Sequence, residues 1–385
     1  RLILVDEGHI GLAGGGKDLG AFKKLREDLL KPVNSFLFEY SATYHGIADK
    51  HVRDYEEQIV YDYNYYRFFK DGYGKDYALQ SLSDDRFADA GKSEAPFFAA
   101  TFDSLQDKLL AHQRFSVSQA QGAGELPFAG QFSHRPLLAF MGNTVEDPKN
   151  EGKGTDEVSD IRKLLVWLAR LTQAEREAYS SVFNGHYLGK LTLTRCPGVN
   201  DEIWLSWGED EYWGLINVGN GDKFFSDCDE HPQLRHDNGD SLITLRKAPI
   251  VNSRYHFTSV DDPTSPINVL VGSRKFAEGW NCYRVSIIGL INLGSSKGNK
   301  IIQIFGRGVR LLGLRGDGKR QSLEHCVSYA ELLADDTPDK LLRRLETLNV
   351  FSLNRSWLET FLKALEQDLP VLSGPYTLDV LPAVV

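Results

Sequence analysis

The chain has 385 residues, 42% hydrophobic and 25% charged, with a formal net charge of −9, the profile of a globular protein of two or three domains. Its acidic balance excludes a generic polyanion binder but leaves room for one local basic cleft. No apolar run is long enough to span a bilayer, no secretion signal opens the chain, and Cys196, Cys228, Cys282 and Cys326 stand apart without a C-x-x-C pair. That pattern fits free thiols in a reducing, cytoplasmic setting.

Residues 1 to about 45 read as strand, glycine-rich turn, helix and strand. The run Leu2-Ile3-Leu4-Val5 is expected as a buried parallel strand. It leads into Asp6-Glu7-Gly8-His9, and ligands of open α/β sheets gather at the carboxyl ends of strands. An aspartate there can hold Mg²⁺ beside phosphates, a glutamate can orient and deprotonate a water, and His9 can sense the state of the site. An acidic turn and a metallohydrolase ligand set are the competing readings. Gly11, Gly14, Gly15 and Gly16 form the turn, a helix is expected from about Leu19 to Leu30, and Phe36 to Tyr40 is the next strand.

Residues 46 to about 134 are less regular. Tyr55, Tyr61, Tyr63, Tyr65, Tyr66, Phe68, Phe69, Tyr73 and Tyr77 make a dense aromatic patch, with Tyr61, Tyr63 and Tyr65 alternating as on a strand face. Such rings either fill a core or stack on bases. Gly91-Lys92-Ser93 reads as a loop, because Arg86 stands where a phosphate-binding loop needs its first glycine. Phe115 to Phe132 has a linker composition.

A second α/β unit opens with a strand at Leu137 to Phe140. A helix is expected from about Val158 to Leu171, with Ile161, Leu164, Leu165 and Leu168 on one face. Residues 175 to about 250 read as an insertion with short strands at Leu191–Leu193, Glu202–Trp207 and Tyr212–Val218. Within it, Cys228, His231 and His236 lack the partner cysteines of a structural zinc site, so Asp227 to Asp237 is expected as a surface loop. Strands at Ile267–Val271 and Val285–Asn292 return to the sheet. Beyond about residue 335 the pattern turns helical, including an amphipathic helix from Phe351 to Asp368.

Gln303 to Arg310 reads Q-x-x-G-R-x-x-R. Arg307 and Arg310, three apart, are expected on one helical face. With Gln303 they make a sensor for a terminal phosphate, since guanidinium forks bind phosphate and keep their charge. Gly306 is expected to let backbone come close to a neighbour. From Lys297 to Arg320 there are seven basic residues and only Asp317 as an acid. Lys297, Lys300, Arg315, Lys319 and Arg320 are the candidates for nucleic-acid contact.

Taken together and in order, five segments resemble the motifs of superfamily 2 helicases of the DEAD/DEAH-box family, in particular the ATPase (Res) subunit of type III restriction enzymes. Asp6-Glu7-Gly8-His9 resembles motif II, the Walker B element, and Ser41-Ala42-Thr43 resembles motif III. Pro136 to Gly142 is similar to the strand of motif IV. Asn268 to Ser273 with Phe276 to Asn281 resembles motif V, and Gln303 to Arg310 resembles motif VI. The likeness spans residues 2 to 310.

The resemblance implies an α/β fold of two RecA-like (P-loop NTPase) parallel-sheet lobes. Residues 1–134 would be the back of the first lobe with an aromatic-rich extension. Residues 135–335 would be the second, with its β-rich insertion, and 336–385 a helical segment. It implies ATP and Mg²⁺ as cofactors, DNA rather than RNA as partner, restriction-modification or defence-system subunits as associates, and no membrane. Asp6 would hold Mg²⁺, Glu7 would position water, and His9 and Gln303 would complete the catalytic set with Arg307 and Arg310. Ser41, Thr43, Gly279 and Asn281 would couple the cleft to the nucleic-acid path.

Two departures stand beside the likeness. No G-x-x-x-x-G-K-[ST] loop precedes Asp6, and the chain begins with Arg1. The expectation is therefore a fragment of a helicase or translocase lacking Walker A; the alternative is a non-catalytic remnant or nucleic-acid-binding module without ATPase activity. Asn281 stands where many relatives carry aspartate, keeping an acceptor but losing the charge. No G-x-S-x-G elbow and no nuclease pattern P-D…[DE]-x-K is present.

Overall fold

A computed structural model describes residues 2–6, 24–25, 27–32, 35–40, 59–61, 63–81, 94–122, 134–142, 160–195, 199, 201–209, 211–218, 220–248, 257–272, 280–291, 298–325 and 329–352. The strands are β1 (Leu2–Asp6), β2 (Phe36–Tyr40), β3 (Asp76–Ser81), β4 (Leu137–Gly142), β5 (Leu191–Arg195), β6 (Glu202–Trp207), β7 (Gly214–Asn217), β8 (Ile243–Lys247), β9 (Val269–Gly272), β10 (Val285–Ile291) and β11 (Thr347–Ser352). The helices are α1 (Tyr65–Lys70), α2 (Ala95–Gly122), α3 (Asp160–Arg170), α4 (Gln173–Ala178), α5 (Gly221–Glu230), α6 (Gly298–Gly308), α7 (Tyr329–Leu332) and α8 (Pro338–Leu345).

Nine strands form one mixed sheet in the order β3-β11-β10-β4-β9-β7-β6-β5-β8. Its pairs are parallel except where β6 meets β5 and β7, so β6 alone runs against the rest. The central strands are apolar on both faces, as parallel strands covered by helices must be. Leu138 and Phe140 of β4 enter the core on the side of α2 and α3, while Leu137, Ala139 and Met141 enter the one that includes Ile304 and Phe305 of α6. The four apolar residues expected on one face of α3 are all buried in the first of these cores.

Several expectations change. The sheet reaches beyond residues 135–335, because β3 and β11 pair along its edge. The presumed insertion continues it, with β5 to β8 as its far wing. Residues 347–352, expected as helix, are a fully buried strand; the rest of the expected helix, 353–368, lies outside the described residues. Tyr65 opens a helix capped by Asn64, whose Oδ1 accepts from Arg67 N, so the tyrosine alternation is not a strand face.

Of the stretch from Phe115 to Phe132, expected as a linker, residues 115–122 are the end of a 28-residue helix, and 123–132 lie outside the described residues. That helix escaped its own pattern because Thr101, Ser104 and Lys108 are buried beside its aromatic residues. Each satisfies its polar atoms inside: Thr101 on Phe98 O, Ser104 by accepting from Asn349, and Lys108 on Thr347 O and Arg344 O. The segment expected as a surface loop around Cys228 is the end of α5 and a short 3-10 turn, with Cys228 buried.

Strands β1 and β2 pair in parallel as a separate two-stranded sheet, with Leu2 opposite Phe36 and Asp6 opposite Tyr40. The run Leu2 to Val5 is expected to be buried, yet Leu2 and Leu4 are exposed, as are Phe36 and Phe38 on the neighbouring strand. No helix among the described residues is long and apolar enough to cross a membrane.

Candidate functional site

The site is built where α6 ends and β10 begins. The sequence of α6 forces it close to the sheet at Gly308. A Cβ there would meet Ile288 Cδ1 at 2.7 Å and Leu348 Cδ2 at 2.9 Å, so only glycine seats the helix on β10 and β11 without displacement. The close approach expected at Gly306 is not there. Gly306 is exposed and a Cβ on it would meet nothing within 4 Å. On its other side α6 is flanked by aromatics, with the Phe305 ring 5.2 Å from Tyr65 and 5.5 Å from Tyr77. The half-buried part of the aromatic patch is thus core against the arginine-bearing helix, while Tyr61, Tyr63 and Tyr66 remain exposed.

Because α6 closes at Gly308, Arg310 lies beyond it, and the two arginines do not share a helical face. They converge nonetheless. Arg307 Nη1 donates to Trp280 O at 2.6 Å, and Arg310 Nη1 donates to Asn281 Oδ1. Two segments singled out separately in the sequence therefore meet through neighbouring residues, Trp280 and Asn281. Trp280 is buried against Phe257, with ring centroids 5.6 Å apart, and Asn281 is exposed. Asparagine suits this contact: its amide oxygen accepts the guanidinium without adding a charge. Gln303 is half-buried on α6.

Two buried cations hold the surrounding turns. Arg284 is fully buried, and its guanidinium donates to Arg135 O, Val260 O and Ile267 O. Burial pushes its pKa down to about 10. Lys75 is also buried, and its Nζ donates to carbonyl oxygens on both sides of the site, including Val285 O and Arg310 O, each at 2.7 Å. Burial pushes its pKa down to about 7. Cys282, next to Asn281, is raised to about 12 by burial first and by Asp261 second, so its thiol stays protonated. Sequence reasoning missed Lys75 and Arg284. A single buried cation leaves no periodic mark; the one signal that could have pointed to it is the pair Gly72 and Gly74, which the structure places at positive φ in the turn just before Lys75.

The basic stretch does not form one surface. Arg315 is exposed on a turn. Lys319 Nζ lies 4.5 Å over the Tyr73 ring. Arg320, expected at the surface, is buried: it donates to Tyr73 O and Phe69 O and stacks 3.8 Å over Phe69, so it acts as an internal tie. Lys300 falls within α6. Lys297, Glu7, His9, Ser41, Thr43 and Gly279 lie outside the described residues, as does Gly91-Lys92-Ser93. Asp6 closes β1, in the separate two-stranded sheet.

An open cleft of about 770 Å³ lies elsewhere, between α2 and the turn at residues 180–185. It is lined among others by His112, Arg135, Asn184 and Glu211, and Arg135 donates to Asn184 Oδ1. It holds none of the residues singled out from the sequence. Among the described residues no group of three or more His, Cys, Asp or Glu could hold a metal ion, and Cys228 is raised to about 12 by burial, an inert thiol. No family model, curated protein or solved structure matches this chain.

Proposed function

We propose that this chain is part of an ATP-dependent nucleic-acid motor of the superfamily 2 type, similar to a type III restriction Res subunit and acting on DNA. In this reading the nine-stranded sheet corresponds to the second RecA-like lobe. Arg307 and Arg310 reach from it to the γ-phosphate, where charge that develops during transfer is offset by fixed guanidinium groups. The observation that carries the reading is the meeting of Arg307 with Trp280 and of Arg310 with Asn281. A guanidinium has five donors, so the Arg310–Asn281 bond is compatible with a further bond to an anion. Asp6 and Glu7 would hold Mg²⁺ and orient water from the β1–β2 sheet, whose apolar face is of the kind a larger sheet buries. Ser41, Thr43 and Gly279 would serve coupling, and Arg315 and Lys319 would meet phosphates.

The test is kinetic. The purified chain should show little ATP turnover, because the phosphate cradle of a P-loop is not in its sequence. Robust turnover abolished by Glu7→Gln would sink that expectation. With a P-loop segment supplied in cis ahead of residue 1, Arg310→Ala should lower turnover by roughly 10³–10⁵ while weakening nucleotide binding far less. If turnover persists while DNA binding collapses, the segment is a nucleic-acid clamp. The second reading, a binding module without ATPase activity, stands instead if the chain supplied with a P-loop segment shows no turnover at all.

A further inference from the structure

We propose that Lys75 is a positioning residue for the arginine pair: its buried ammonium binds main-chain carbonyls of both segments that meet at the site and fixes Arg307 and Arg310 against Trp280 and Asn281. This rests on the reading of the arginines as anion ligands. Lys75 is buried, and main-chain oxygens surround its ammonium. Nζ donates to Tyr283 O at 2.8 Å and Val285 O at 2.7 Å, in the entry to β10. It donates to Arg310 O at 2.7 Å and Gly308 O at 3.3 Å, in the exit from α6. An ammonium has three protons, so the three short bonds use them all and Gly308 O is the longer, shared partner.

No carboxylate among the described residues comes within ion-pair reach of Nζ; Asp261 favours its charge from farther away, and the main chain supplies the nearest counterpart dipoles. A neutral amine would turn a lone pair toward one of these oxygens, so the cage favours the charged form while burial opposes it. The lysine's own backbone joins the same turn, with Lys75 N donating to Val309 O at 2.7 Å. That approach requires Gly74, at φ +70°, where a Cβ would sit 2.8 Å from Val309 O. One residue, more than two hundred positions from the arginines in sequence, thus joins the carbonyls on both sides of the contact. A cavity of about 20 Å³ borders it, also lined by His134, Tyr283 and Leu311.

The experiment compares amide hydrogen exchange in the wild-type chain, Lys75→Met and Lys75→Ala. Residues 283–287 and 307–311 should exchange at least about tenfold faster in both variants, the loss expected when charge-assisted hydrogen bonds are removed. Strands β5 and β6 should keep wild-type protection. Propylammonium chloride, but not sodium chloride at equal ionic strength, should restore protection in Lys75→Ala, a recovery that a role in bulk packing would not give. Should Lys75→Met not fold, Lys75→Gln keeps two donors and carries the same expectation at smaller amplitude. Unchanged exchange in the two segments, or equal acceleration throughout the sheet, would overturn the proposal. Binding of inorganic triphosphate, measured by calorimetry, separates the two readings. Lys75→Met and Arg310→Ala should each weaken it about tenfold or more. If the wild-type chain does not bind triphosphate, the anion role of the arginines fails, and the exchange data still decide whether Lys75 holds the turn.

Discussion

The two wings of the large sheet are stabilised by different means. In the wing β3-β11-β10-β4-β9, buried cations bind main-chain oxygens between segments far apart in sequence: Lys75, Lys108 and Arg284, with Arg344 binding Leu332 O and Asp335 O as well as Asp107. In the wing β7-β6-β5-β8, the interior is aromatic. Trp207 and Trp213 pack on Phe183 with ring centroids 5.4 and 4.7 Å from it, and the buried carboxylate of Glu202 accepts from Phe257 N and Trp204 Nε1. Apolar packing is non-directional and tolerates small shifts. A buried cation does not, because it must find its acceptors at hydrogen-bond distance or leave them unsatisfied. The directional wing is the one that carries Arg307, Arg310, Trp280 and Asn281.

This contrast sets a ranking. The largest effect should come from Arg284→Met, which strands three buried carbonyls and should cost roughly 3 kcal/mol or more at about 1–3 kcal/mol each. Equilibrium denaturation measures it, and a cost within 1 kcal/mol of neutral would erase the difference between the wings.

Next is Glu346, buried at the turn from α8 into β11 and pushed up to about 7 by burial. Its folded pKa exceeds its unfolded one, so the native state holds the extra proton between about pH 4.5 and 7. Its contribution is present at low pH and lost as pH rises through about 7. Glu346→Gln should therefore stabilise the protein by roughly 1–3 kcal/mol at pH 8, with the gain shrinking to nothing near pH 4. A gain independent of pH would contradict the assignment.

Two glycines of α6 should then respond with opposite signs. Gly308→Ala overpacks Ile288 and Leu348 and should cost about 1–3 kcal/mol. Gly306→Ala meets nothing and should raise stability by up to about 1 kcal/mol through helix propensity. Thermal melts of both variants, read together with triphosphate binding, sharpen the comparison. A Gly306→Ala protein that gains stability but loses triphosphate would mark that exposed face as a place of close approach. The smallest effect belongs to the aromatic wing, where Ile203→Val should cost only about 1 kcal/mol. If it costs as much as Arg284→Met, directional bonding is not what distinguishes the site.

What was legible in the sequence is what periodicity and punctuation encode. The runs at Leu137, Ile267 and Val285 are apolar on both faces and gave strands of one parallel block. The face of Ile161, Leu164, Leu165 and Leu168 gave α3, and the Q-x-x-G-R-x-x-R spacing gave the place of the arginines, though not the helix end between them. Strand β11 and most of α2 were hidden because buried polar residues break the hydrophobic pattern: Thr347, Asn349 and Ser352 in the strand, Thr101, Ser104 and Lys108 in the helix. Asn349 bonds Ser104, and Lys108 bonds Arg344 O and Thr347 O, all across remote segments, so no local window reveals those partners. The aromatic patch was ambiguous for the same reason; only the packing of Tyr65 and Tyr77 on Phe305 separates its core rings from its exposed ones. The sequence by itself determined which residues could bind an anion and which strands could be buried. Tertiary structure alone decided that Arg320 is an internal tie, that Gly308 and not Gly306 is the close contact, and that Lys75 joins both sides of the site. Each of those outcomes depends on carbonyl oxygens and van der Waals surfaces that only chain reversal brings within 3 Å or so of one another.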